Sequence, residues 1–302
     1  MTATAAALDA RRTERRGQAY VALAAVAWST AGVLQRQLTL DTATQLAGRA
    51  LIAALALAVF VAVAERGRVL DAWRSIGLAG VGVAACLAVA SGAFIAALNH
   101  TTVARVLFIQ AVSPVLAALL ARALLREPVT RRTAVAMAVA FAGVGLMLGA
   151  PGAGNATGDL LALLMALAFA LALVITRHRR DVSMAPATCL AQLMLLAAFL
   201  PLSDPGDVGG DDLAALAALG VGQMALGLAL LTIGARLISA AQVALISLLE
   251  VVLGPLWVWL ATGEEPGTAT LLGGAIVIVA ILIQTERGAA RAAQRAGPPP
   301  LP

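Results

Sequence analysis

Lysine is missing from this sequence: all 21 basic residues are arginine. P-loop nucleotide hydrolysis needs a lysine on the phosphates and Schiff-base chemistry needs a lysine amine, so both are excluded. Charge is scarce, at 12% of residues against about 25% in soluble domains. Cysteine occurs twice, at Cys86 and Cys189, each inside an apolar run, which reads as core packing and not as a disulfide or metal pair. Neither HExxH nor a nucleotide-binding loop is present, and the aspartates fall in loops or at the ends of apolar runs, against an intramembrane aspartyl protease. Ser91 and His100 lie on opposite sides of any shared helix and cannot form a dyad. The net charge of +5 could suggest nucleic acid, but the arginines sit in short clusters between apolar runs, which the positive-inside rule explains better. No metal, cofactor or nucleic acid is expected.

Apolar length is what the chain has in abundance. Hydrophobic residues fill 61% of its 302 positions, above the roughly 45–50% of soluble domains, so the fold class is all-α and integral to a membrane. A bilayer-crossing helix needs about 20 mainly apolar residues. Cutting at polar and Gly/Pro breaks gives ten transmembrane helices, at 18–38, 45–64, 76–98, 103–125, 133–149, 160–176, 186–202, 213–233, 239–261 and 268–284. The first follows arginines, as a signal peptide would, but it is too long for a signal core and carries Trp28 mid-span. The third has the most diluted signal, through Gly80, Gly82, Ser91 and Gly92.

Arginines mark the N-terminal tail (Arg11, Arg12, Arg15, Arg16) and alternate connections: Arg66, Arg68 and Arg74; Arg126, Arg131 and Arg132; Arg177, Arg179 and Arg180; Arg236. The C-terminal tail adds Arg287, Arg291 and Arg295. The intervening connections hold Asp41, Asp159, Asp204, Asp207, Asp211, Asp212, Glu264 and Glu265. This bias predicts a multi-pass protein of the cell inner (plasma) membrane with both termini cytoplasmic. Residues 1–17 are then a cytoplasmic tail and 286–302, ending in AGPPPLP, a disordered one.

An internal repeat divides the rest into five-helix halves, 18–150 and 155–285. Aligning Glu127 of LLREP with Glu264 of TGEEP lays TVARVLFI over SAAQVALI, with Ala104/Ala241, Val106/Val243 and Ile109/Ile246 matching. Trp28 and Arg36 correspond likewise to Phe169 and Arg177. Because five is odd, the second half enters the membrane inverted, the organisation of many secondary transporters. The alignment places Gln110 and Ser113 opposite Ser247 and Glu250 near mid-bilayer, where inverted-repeat carriers bind substrate. On the ninth helix Val243, Ser247, Glu250, Gly254 and Trp257 share one face. Pro255 frees the carbonyl of Val251 beside Glu250, and Pro114 frees that of Gln110. A carboxylate at mid-bilayer is a functional-site hypothesis by default.

ALNHTTVARVLFIQAVSPVLAALLARALLREPVT and ISAAQVALISLLEVVLGPLWVWLATGEEP resemble the fourth- and ninth-helix signatures of the EamA-type drug/metabolite transporter superfamily. AVAWSTAGVLQR in the first helix and GRALIAAL in the second fit the same pattern, and the resemblance runs from about Gln18 to Gln284. It implies ten helices, cytoplasmic termini and a central cavity formed mainly by helices 1, 3, 4, 6, 8 and 9; many relatives export amino acids or other small metabolites. The family motif usually has proline directly after the ninth-helix glutamate; here Val251 follows Glu250 and proline comes at 255.

The candidates for substrate binding or coupling are Glu250, Ser247, Trp257, Gln110, Ser113, Trp28, Gln223 and Asn99, with Arg49 and Arg105 as charge partners. Glu250 binds a proton or a substrate amine, or else it is a buried carboxylate paired with arginine. Trp28 either walls the cavity or packs helices; Gln223, between Gly220 and Gly227, lines the cavity or belongs to small-residue packing. Arg49, near the start of the second helix, either snorkels outward, pairs structurally or meets substrate. Gly145 and Gly149 form a GxxxG, a homodimer motif of little weight in a chain with 28 glycines. The reading is a secondary transporter, not an enzyme, that exports amino acids or related small metabolites by alternating access, with protons as coupling ion. Efflux of lipophilic amines or drugs is the alternative; a membrane-embedded enzyme or sensor is the rival class.

Overall fold

The computed structural model describes residues 3–64, 69–126, 131–149, 155–178, 185–235, 237–238 and 240–295, and among these it is helical without a strand. Long apolar runs cannot leave backbone N–H and C=O groups to lipid, and a helix satisfies them within one segment. Each of the ten expected runs is helical. α1 is Ala3–Ser29, continued by Ala31–Gln37. α2 is Thr42–Ala64 and α3 Gly77–Leu98. α4 is Val103–Gln110, continued by Ser113–Leu125, and α5 is Arg131–Gly149. In the second half, α6 is Ala156–His178 and α7 Ala185–Phe199. α8 runs as Gly210–Ala217, a π-helical stretch Ala218–Leu226, and Gly227–Ala235. α9 is Ala240–Thr262 and α10 Thr268–Arg295.

Among the described residues, seven helices are long and apolar enough to cross a membrane; α5, α9 and α10 contain the shorter apolar stretches Ala134–Leu148, Leu249–Thr262 and Thr268–Ala280. Leu51, Leu55, Val59 and Val63 are exposed in one row along α2, a surface suited to lipid and not to water. Helix begins at Ala3, within the stretch read as a cytoplasmic tail, and α10 stays helical to Arg295, within the stretch 286–302 expected to be disordered. Alanine, arginine and glutamine dominate 289–295, and all three favour helix. Arg66, Arg68, Glu127, Arg179, Arg180, Arg236, Ser239 and the AGPPPLP segment lie outside the described residues.

The two halves interleave. α1 packs on α9 and α8, while α6, the first helix of the second half, packs on α4 and α3. α2 packs on α8 as α7 does on α3; α2 also meets α7, and α5 meets α10. Exchanging the halves leaves this set of partnerships unchanged, so each half completes the other's core. Gly143 and Gly273 let α5 and α10 approach to backbone contact: a Cβ on Gly273 would lie 2.5 Å from the Gly143 carbonyl oxygen.

Contacts at the helix ends show that the helices alternate in direction. At one end, Arg36 in the last turn of α1 pairs with Glu264 after α9 at 2.8 Å. Arg36 also donates to the carbonyls of Leu98 (2.6 Å) and Thr101 (2.9 Å), and Glu264 accepts from the Val103 amide that opens α4 (2.8 Å). The Thr39 amide donates to Asp212 at the start of α8 (3.0 Å), and the Asp204 amide donates to the Thr44 hydroxyl in α2 (2.8 Å). At the opposite end Gln242, entering α9, donates to Glu14 of α1 (2.6 Å).

Candidate functional site

α1, α4 and α9 meet where their small residues allow. Gly32 of α1 lies against Val103 and Val258, and Gly254 of α9 leaves room for Leu107 of α4. α4 and α9 run antiparallel through that crossing, since Val103 meets Glu264 near the end of α9 and Leu107 meets Gly254. Gln110 and Glu250 each lie about one turn from the crossing, on the same side of it, so they come to the same depth.

Glu250 is partly buried there, and its carboxylate makes no ion pair or hydrogen bond among the described residues. The side-chain oxygen of Gln110 is buried with no partner. Ser113 is buried, and its hydroxyl donates to the Gln110 carbonyl at 2.6 Å, taking up the acceptor that Pro114 leaves free. Ser247, one turn before Glu250, is partly buried.

Both tryptophans are held by hydrogen bonds. The Trp257 indole donates to Ser29 Oγ (3.0 Å), whose own proton goes to the Val26 carbonyl (2.7 Å) next to the break in α1. The Trp28 indole donates to the Gln223 carbonyl (2.7 Å) in the π-helical stretch of α8. A Cβ on Gly227 would stand 2.3 Å from the Trp28 nitrogen, so this close seat requires glycine. Trp28 is thereby seated against α8.

Neither arginine expected as a charge partner reaches Glu250. Arg105, 1% exposed, gives Nε and Nη2 to the two carboxylate oxygens of Asp159 (2.9 and 2.5 Å) and Nη1 to the Met147 carbonyl (2.6 Å). Its position in the first turn of α4 puts it beside the start of α6, away from the middle of α9. Arg49 is also 1% exposed, so it does not snorkel outward. Its Nη1 donates to Ser91 Oγ of α3 (3.0 Å), and Nη2 lies 3.5 Å from the side-chain oxygen of Gln223, which is buried. Nε of Arg49 is buried with no partner.

Asn99 is not brought to the other candidates. It is exposed at the end of α3, where it donates to Gln45 (2.8 Å) and Thr42 (3.0 Å) and accepts from Gln35 (3.1 Å); Gln35 also donates to Gln45. Sequence reasoning missed Ser29, Asp159 and Glu264 as partners, and weighed Ser91 only for a dyad. Asp159 and Glu264 carried a readable signal, as acids at the mouths of spans on the side where Arg36 and Arg105 also fall.

The EamA-like transporter family matches the chain twice, over residues 15–149 and 156–285. A solved structure, described only as a crystal structure of protein, is similar over 89% of this chain and 96% of its own, with 18% identity and a TM-score of 0.64. That likeness bears on the fold alone. No curated protein matches the chain.

Proposed function

The chain belongs to the EamA-like transporter family, and from that premise we propose that it is a secondary transporter exporting amino acids or related small metabolites across the cell inner membrane by alternating access. Ten membrane-crossing helices, arranged as two inverted five-helix repeats with both termini cytoplasmic, supply the frame. The exchange symmetry of the helix partnerships and the alternation of helix ends support that frame. Along the sequence, arginine-rich connections alternate with acidic ones.

The observation that carries the reading is Glu250, a carboxylate deep in α9 with no partner among the described residues. A membrane carboxylate is costly, by about 2.5–3.5 kcal/mol on the gentlest scale, and a structural one would be paired. Left unpaired, it is available to a proton or to a substrate ammonium. Gln110, at the same depth with an orphaned acceptor, is the second polar group of the site. Gly145 is exposed on α5 with open space where a Cβ would be, a position at which a second copy can approach.

The test is purified protein in proteoliposomes, assayed with labelled amino acids and with lipophilic amines, with and without a pH gradient. The reading expects concentrative uptake of at least one amino acid, driven by the gradient. Transport of lipophilic amines alone would transfer the assignment to drug efflux.

A further inference from the structure

Two buried arginines present the same edge to very different surroundings. Arg105 offers its Nε–Nη2 edge to Asp159, which takes both donors, and Met147 takes Nη1. Arg49 is as deeply buried, yet its Nε–Nη2 edge is vacant at Nε and has only a 3.5 Å contact to neutral Gln223 at Nη2. Ser91, also neutral, holds Nη1. No acidic side chain pairs with Arg49 among the described residues. A guanidinium cannot shed its proton to escape this burial, and a buried charge without a partner is strongly destabilising. Such a group persists in a membrane protein where it meets an anion from outside the chain.

We propose that Arg49 is the site for the substrate's carboxylate, with Ser91 holding the guanidinium through Nη1. The vacant Nε–Nη2 edge is the fork that takes a carboxylate through two parallel hydrogen bonds, as Arg105 takes Asp159. Gln223 gives way easily, since its contact is at the limit of hydrogen-bond length and it stands in a π-helical stretch, a feature frequent at functional sites. The assignment rests on the amino-acid reading and deepens it. The Trp28 indole, bonded to the Gln223 carbonyl, links α1 to this arginine.

The experiment compares each transported amino acid with its α-carboxamide, which keeps the side chain and ammonium but loses the negative charge. In proteoliposomes of wild-type protein, the acid should be carried and its amide should compete at least tenfold less well. Arg49→Gln should weaken the acid at least tenfold and leave the amide unchanged, while Arg49→Lys should restore part of the acid's transport. Equal competition by acid and amide on wild-type protein overturns the proposal, whether or not the variants fold. So does a loss in Arg49→Gln that is the same for both. Replacing chloride with gluconate covers the remaining anion source: transport that needs chloride and ignores the carboxylate would assign Arg49 to an inorganic counter-ion and sink the proposal. Wild-type protein that carries no amino acid refutes the amino-acid reading, and this inference with it. Wild-type protein that carries one without discriminating the amide refutes the Arg49 site alone.

Discussion

The charges at the acidic end of the bundle and those deeper in it live under different rules. At the end, Arg36 meets Glu264 and two carbonyls, and Arg105 meets Asp159 and one carbonyl. These groups are saturated. Deeper in, Arg49 has one well-made hydrogen bond and Glu250 has none among the described residues. Saturated charges hold elements together: the two ion pairs join α1 to the α9–α10 connection and α4 to α6. Unsaturated ones cost folding energy without an ion pair tying one helix to another. The same side chain, arginine, is thus fully paired at 105 and left with an unpartnered Nε at 49.

The largest effect on stability should come from the saturated end. Asp159→Asn leaves Arg105 buried without its counter-charge, and breaking a buried pair this way costs about 3–5 kcal/mol. Thermal or denaturant unfolding of the detergent-purified variant measures it. A loss below about 1 kcal/mol, in the range of exposed pairs, would place Arg105 with the unsaturated groups and erase the contrast.

A smaller effect is expected at Asp41, on the same end but exposed. Its carboxylate accepts from the Ala43 amide (2.7 Å) and from the Thr44 amide (3.1 Å) and hydroxyl, capping the start of α2. The Thr44 hydroxyl bond chiefly, then the backbone amides, hold its pKa below the usual carboxylate value against the small penalty of burial. A depressed folded pKa means that the contribution is present above the unfolded value of about 4 and is lost as pH falls through the folded one. Asp41→Ala should therefore lower stability by about 1 kcal/mol at pH 7, and the gap between variant and parent should close on acidification below pH 4 or so. A gap independent of pH would mean that the cap does not act through the ionised carboxylate.

Much of this molecule could be read from the sequence because lipid constrains it so heavily. The apolar runs read from the sequence are helical among the described residues, and the acids of alternate connections anticipated which of those helix ends gather. Trp28, Gln223 and Glu250 were singled out by a simple rule, that polar groups in apolar runs need reasons. Their partners could not be found in that way. Arg105 meets Asp159, which lies 54 residues away along the chain, and that pairing depends on the α4–α6 packing that interleaves the halves. Helical phase says which face a residue occupies but not which neighbour it faces. For that reason Arg49 and Arg105 were both offered to Glu250, and the structure gives neither to it. Helix runs past the apolar signal at both termini for a related reason: charged residues ended that signal before they ended the helix.

The smallest effect on stability, and the largest on function, is expected at Glu250. Glu250→Gln removes the charge, keeps the shape and breaks no bond seen among the described residues, so the variant should unfold like the parent. Uptake of the transported amino acid into proteoliposomes should be followed for both proteins from pH 5 to pH 8, with and without an imposed pH gradient. The account predicts that Glu250→Gln loses gradient-driven accumulation and its dependence on pH while remaining folded. If the variant accumulates substrate like the parent across that range, the unpaired carboxylate is not the working group, and the division between saturated and unsaturated charges fails at its centre.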